Sequence, residues 1–438
     1  MRKMRISLFG LMGIVLLSCS KSDDSTPPKE DPDPVNQAPA AFDLLTAPNG
    51  AAGVDVLPTL TWETATDPDG DAVSYDIFLD TTSDPSTLLS GAIGGTTVTG
   101  TERLHFLTPY NWKVVASDTE GATTASGVFG FTTRGLRVPA AATTEAAAFS
   151  PKIALSSVAF GDKLWVIGGR DAAGFQEEVW STSDGADWTL VTEEPGFLGR
   201  ASHTTAVFQD KVWVMGGTSI REVPPTSENP SGDEQYYMND VWSSANGVDW
   251  DELTPEAAFA KRDGLTAAVL GDRLFIMGGY DGTYMNDVWS TTDGVLWEQT
   301  TASAGFTARS GHSTVVFDDK IWIIGGWDGT QRLNDVWYST DGVTWTEATG
   351  AAQFSARVNP TTAVFDDKLW VIGGYAPSGA MNDIWYSTDG VTWEQTSGDE
   401  TFPVRGDHTT AVYDDKIWVI GGNDGSLNQK YNDVWALD

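Results

Sequence analysis

The sequence predicts an all-β protein whose main body is a six-bladed β-propeller preceded by a β-sandwich, and three observations lead there. Six Gly-Gly pairs, beginning at Gly168, Gly216, Gly278, Gly325, Gly373 and Gly421, divide the chain after Val138 at intervals of 48, 62, 47, 48 and 48 residues. Self-similarity at such a period marks repeated supersecondary units. The 46 Gly and 19 Trp, with only 20% charged residues, suit short strands joined by tight turns better than a helical bundle. Residues 41–134, upstream of the repeats, alternate apolar and polar positions in short runs broken by turn residues, which is the size and rhythm of a sandwich.

At the start of the chain, Met1-Arg2-Lys3-Met4-Arg5 is basic, Ile6 to Leu17 is apolar and Leu16-Leu17-Ser18-Cys19 closes the run. The apolar stretch is too short for a permanent membrane span and has the three-part layout of an export signal. It resembles a bacterial lipoprotein signal (residues 1–18), which implies that Cys19, the one cysteine of the chain, is lipidated and anchors the protein to a membrane. Ser20-Lys21-Ser22-Asp23-Asp24 is similar to the tag that sends lipoproteins to the outer face of the outer membrane, so the expected location is the cell exterior. Residues 19–40 lack aromatic side chains and read as a disordered tether. A single cysteine excludes an internal disulfide framework. The net charge of −35 repels polyanions, so no nucleic-acid partner is expected.

In residues 41–134 the runs are Pro58 to Trp62, Tyr75 to Leu79, Leu107 to Ala116 and Phe129 to Phe131. The Trp62 strand and the Leu107-x-Pro109 element followed by Trp112-x-Val114-x-Ala116 resemble a fibronectin type III or related immunoglobulin-like domain. Asp67, Asp69 and Asp71 could offer oxygens to calcium, but the run lacks the later Glu and the spacing of a calcium loop, and a plain turn between strands is the preferred reading.

Residues 135–438 hold the repeats. In the fourth copy, Ser313 to Phe317 and Lys320 to Ile324 flank the turn Asp318-Asp319, the diglycine Gly325-Gly326 follows, and Asn334 to Ser339 turns through Asp341-Gly342 into Thr344 to Thr346. Two-residue acidic turns and Asp-Gly turns suit hairpins. Each copy is therefore a four-stranded sheet, and such sheets arrayed round an axis make a propeller. The diglycine, the Trp on the third strand and a second Trp 8 or 9 residues later resemble the kelch repeat. The last copy stops at Asp438 without a fourth strand, so the stretch from Leu136 to Glu145 is expected to close the ring against it.

A residue present in every copy answers a need of every blade, whereas function is expected where copies differ. Sixteen of the 19 Trp occupy three repeat positions and read as packing. Lys152, Arg200, Arg262, Arg309, Arg357 and Arg405 each precede a first strand and are expected to ring one mouth of the axial channel. They either bond carbonyls of a neighbouring blade or form an anion site. Three residues on, His203, His312 and His408 mark alternate blades as candidate ligand contacts or proton carriers; no metal is assigned to them and no cofactor is expected. The loops after the diglycines share this mouth and begin with Arg170, Thr218, Tyr280, Trp327, Tyr375 and Asn423, so Tyr280, Trp327 and Tyr375 are candidate stacking surfaces for a sugar. The second such loop, from Thr218 to Tyr237, is about 14 residues longer than the others and is a further recognition candidate.

No nucleophile elbow, phosphate loop or His-Glu-x-x-His run is present. The copper radical oxidase that shares the kelch fold needs a cysteine cross-linked to tyrosine, and Cys19 lies in the signal. The resemblance leaves two functions open: a non-catalytic module binding a glycan or protein, or an envelope enzyme such as a sugar mutarotase or epimerase. The second would draw its acid and base from His203, His312, His408, Asp263 and Asp407.

Overall fold

The computed structural model describes residues 35–222, 233–396, 401–426 and 429–438; Cys19 and the rest of the signal and most of the tether lie outside them. Among the described residues there are strands and turns and no helix.

Two sheets form from residues 44–133. One pairs Leu44–Thr46, Thr59–Trp62 and Thr97–Thr99; the other is built on Ser74–Asp80, Pro109–Ser117 and Phe129–Thr133. The alternation read in the sequence is real: Tyr75, Ile77 and Leu79 point inward, as do Tyr110, Trp112, Val114 and Ala116. They meet Leu44, Leu60 and Trp62 of the other sheet in one apolar core.

From residue 156 onward the described residues form five four-stranded antiparallel sheets, one of three strands and a small two-stranded one, Tyr375–Ala376 with Gly379–Ala380. The first strands, 156–160, 204–208, 266–270, 313–317, 361–365 and 409–413, each contact the next, and the last contacts the first, so the sheets close into a circuit. The acidic hairpin turns have the backbone their chemistry favours, with Asp318 and Asp319 at φ 50° and 54°. In the Asp-Gly turn, Asp341 Oδ1 accepts from the backbone N–H of Val343 and Thr344, both at 2.8 Å. The glycine there has a packing reason as well. A Cβ on Gly342 would lie 2.5 Å from Phe275 of the preceding sheet, and one on Gly390 2.1 Å from Trp322.

The three-stranded sheet ends with Val434–Leu437, and upstream chain reaches its open edge. Thr144 and Val434 exchange backbone hydrogen bonds of 3.2 and 2.8 Å, and Arg137 and Asp438 exchange bonds of 2.7 and 3.2 Å. The edge is thus covered by two separate bridges, where the sequence reading expected a continuous strand.

The two-sheet unit docks on the hairpin-turn end of the last two sheets. Asp366, in a turn, accepts from Phe106 N–H at 2.6 Å and faces His105 Nδ1 at 3.0 Å, while Arg103 bonds Asp415 at 2.8 Å. Val56, Phe106 and Leu136 share one buried cluster with Phe365, Trp370 and Ile417.

Candidate functional site

The repeated basic residues are fully buried, and this corrects the expectation of a basic ring facing a ligand. Arg200, Arg262, Arg309, Arg357 and Arg405 are each 0% exposed. Arg309 donates from Nη1 and Nη2 to the two carboxylate oxygens of Asp335, both at 2.7 Å, from Nη1 to the carbonyl of Gly325 at 2.9 Å, and from Nε to that of Thr307 at 2.8 Å. Arg200, Arg262, Arg357 and Arg405 do the same with Asp240, Asp287, Asp383 and Asp433. The indole N–H of the third-strand Trp bonds the same acid, as Trp337 does with Asp335 at 2.8 Å. Four of the five guanidinium N–H groups are spent inside the sheet, and the side chain offers a ligand no exposed surface. The first sheet builds the unit differently: Lys152 meets Glu178 at 3.0 Å, a shorter cation matched by a longer acid. That paired exchange is visible in the sequence and is the signal that could have revealed the partner.

The histidines are corrected likewise. His203, His312 and His408 are 7%, 4% and 5% exposed. Their Nε2 atoms bond hydroxyls of the preceding sheet, Ser156 at 2.7 Å, Thr266 at 2.7 Å and Thr361 at 2.9 Å. Burial, reinforced by the nearby arginine, holds each pKa down to about 3, so each ring is neutral, with a single N–H, at neutral pH. Among the described residues no three His, Cys, Asp or Glu side chains form a metal-binding group. Asp67 Oδ1 accepts from the N–H of Asp69 at 2.9 Å and of Asp71 at 3.2 Å, which makes that run a turn capped by its own side chain.

The post-diglycine residues do share one end with the segments that link the sheets. Each pairs through its backbone with the residue after the buried cation: Arg170 with Ile153, Thr218 with Ala201, Asp263 with Tyr280, Ser310 with Trp327, Val358 with Tyr375 and Gly406 with Asn423. One residue further on, Ala154, Ser202, Gly264, Gly311, Asn359 and Asp407 all have φ between 51° and 58°. Backbone N–H groups there donate from one sheet to the last: Ala154 to Asp407, Ser202 to Ala154, Gly264 to Ser202, Gly311 to Gly264 and Asn359 to Gly311. This inner ring draws the sheets together at the axis and leaves a cavity of about 130 Å³ beside His203 and His312.

Outside the ring the copies diverge. Tyr280, Trp327 and Tyr375 are half-buried at this end. Tyr280 packs against Tyr284 at 4.7 Å and against Tyr237, at the end of the long second loop, at 6.1 Å; Tyr284 carried no signal in the sequence because it stands between the diglycine and the third strand. Burial raises Asp263, beside this cluster, to about 6. The Arg332 guanidinium covers one face of Trp327.

The long second loop is a hairpin whose strands, Lys211–Glu222 and Asp233–Ser244, extend past the diglycine. It walls a pocket of about 430 Å³ lined by Arg170, Phe175, Ser202, Thr218, Ile220, Asp233, Gln235 and Asp407. Arg170 is exposed and lies over the Phe175 ring at 5.2 Å.

Comparison with known proteins accords with this architecture. A search of curated proteins finds no match. The solved protein titled "Structure of YjhT" superposes with a TM-score of 0.53 at 18% identity, covering 67% of this chain and 96% of that one, a likeness of fold. The KLHDC2/KLHL20/DRC7 Kelch-repeats domain matches residues 116–326, 246–354 and 292–438. Those matches together cover residues 116–438, most of the chain and all of its repeated sheets, so the chain belongs to the kelch-repeat family and its main body is a kelch β-propeller.

Proposed function

We propose that this protein is a non-catalytic binding module of the cell surface, in which a six-bladed propeller recognises a glycan at the mouth formed by its post-diglycine loops. One observation carries the reading. The repeated cations are engaged with acids inside the framework, and the side chains that break the repeat, Arg170, Tyr237, Tyr280, Tyr284, Trp327 and Tyr375, lie at one end, where Arg170 lines a pocket of about 430 Å³. Aromatic faces with a few polar groups are what a sugar ring requires.

The N-terminal unit, read as a fibronectin type III-like sandwich, serves this reading as a spacer. Its strand Pro109–Ser117 starts at the propeller contact, at His105 and Phe106, and runs to the pole where Asn36 bonds Asp118. The chain entering from a lipid on Cys19 thus meets the pole remote from the propeller, and the docking surface is the end opposite the mouth. The mouth faces away from an anchoring outer membrane.

The enzymatic alternative, a sugar mutarotase or epimerase, draws support from Asp263 and Asp407, both raised by burial and both at this mouth. A glycan array probed with the purified protein, together with NMR measurement of anomer exchange for the sugars it retains, separates the two. Retention without faster exchange supports binding alone, accelerated exchange overturns it in favour of catalysis, and an array with no retained glycan removes the glycan reading.

A further inference from the structure

Asp407 lies where the mouth pocket meets the axial cavity and lines both. Around its carboxyl the hydrogens can be counted. Tyr375 Oη is 3.0 Å from Asp407 Oδ2 and also bonds Asn423 Oδ1. Both neighbours are oxygens, and a phenol has a single hydrogen. The Asn423 amide cannot be turned to offer a nitrogen instead, because its Oδ1 accepts from Gly425 N–H at 3.2 Å and its Nδ2 donates to the Ser426 carbonyl at 3.1 Å. On the other side Asn359 Nδ2 donates to Asp407 Oδ1. Tyr375 can donate to only one of these two oxygens, so both contacts are hydrogen bonds together only if the Asp407 carboxyl supplies a second hydrogen.

We propose that Asp407 is a neutral carboxylic acid in the ligand-free protein, donating through Oδ2 to Tyr375, and that it acts as a proton-linked specificity residue of the mouth pocket. Burial favours this form. The titratable group that bonds it is Tyr375, which itself lies near Asp424 and Tyr431, and Arg170 and Asp233 share the pocket with it. His408, next in the chain, is neutral, and Arg405 is turned into the sheet against Asp433. Deprotonation puts a new negative charge on the pocket wall and swings the Tyr375 hydrogen from Asn423 to Asp407. A ligand that presents an electron-rich oxygen at this wall is accepted beside the neutral acid and is repelled as the carboxyl ionises. That consequence rests on the binding reading above; the protonation state does not.

The test is therefore made without ligand. The carbonyl carbon of the Asp407 carboxyl is followed by NMR against pH in aspartate-labelled protein, assigned by its loss in Asp407→Asn. The expected midpoint lies at least about one unit above the ordinary aspartate value of ~3.9. In Asn423→Ala the Tyr375 hydrogen is free to bond the carboxylate, so the midpoint falls by about one unit or more, with the fold checked by the tryptophan fluorescence of the buried units. A wild-type midpoint at or below ~3.9 overturns the proposal, and so does a midpoint that Asn423→Ala leaves unmoved. Failure on the glycan array strikes the binding reading and leaves this one standing.

Discussion

Each buried cation of the propeller meets its acid at one fixed reach, which makes the pair a matched unit. Five sheets use Arg with Asp, and the first uses Lys152 with Glu178. A buried charge deprived of its partner costs about 3–5 kcal/mol. Arg309→Lys alone should destabilise the protein by roughly that amount, because a lysine at this depth falls short of Asp335. Adding Asp335→Glu should recover a large part of it, and a double-mutant cycle by urea unfolding measures the coupling. A double variant no more stable than Arg309→Lys contradicts the matched-reach account. This pair also shows what the sequence could and could not reveal. An Arg ahead of a strand looks the same whether it faces an axis or a neighbouring acid, so its burial was not legible from one position. The joint Lys/Glu exchange in the first copy carried the information. The histidines were misread for a related reason: spacing places them near the axis, but only the hydroxyls of the adjacent sheet show that they are engaged. Their low folded pKa removes stability as pH falls from 6.5 toward about 3. Asp263 has the opposite sign. Its folded pKa of about 6 exceeds the unfolded 3.8, so its ionisation lowers stability as pH rises through that window. Asp263→Asn should raise the melting temperature at pH 8 and leave it unchanged near pH 3.5; an equal gain at both would refute the burial cause.

At the scale of the element, local chemistry was a good guide wherever turn residues set the backbone. The paired acidic turns and the Asp-Gly turns stand where turn composition placed them, whereas in the second and fourth sheets the second strand runs on through the diglycine, to Glu222 and Trp327. Long-range packing was harder to read. Gly342 is required by the side of its turn that meets Phe275, a contact between sheets that no local pattern encodes. Gly342→Ala should therefore destabilise well beyond Gly282→Ala, since Gly282 also has a positive φ of 113° but nothing within 4 Å of its Cβ position. Thermal unfolding of the two variants compares them directly, and similar losses would reduce the Gly342 requirement to backbone conformation alone. The second loop illustrates the same limit. Its extra length was evident, but its continuation of two strands past the diglycine, with Gly217 paired to Met238 and Thr218 to Tyr237, depends on pairing across that length.

At the scale of the whole molecule the two-sheet unit and the propeller share a core, so they should unfold together. Asp366 holds that contact from a nearly buried position, with a side chain 4% exposed between Arg103, His105 and the Phe106 backbone. Asp366→Ala should split the calorimetric transition in two, whereas a single unchanged transition would show the apolar cluster around Phe106 to be sufficient. The same architecture leaves the opposite end open for recognition. In the proposed function, recognition lives in the residues that break the repeat at that end. This assignment is tested most directly by titrating the glycan best retained on the array into wild-type protein, Trp327→Ala and Asp319→Ala, the last on a hairpin turn at the far end. We expect Trp327→Ala to weaken binding by about threefold to tenfold, the value of one aromatic contact, and Asp319→Ala to leave it unchanged. Loss of binding in Asp319→Ala with Trp327→Ala unaffected would contradict the claim.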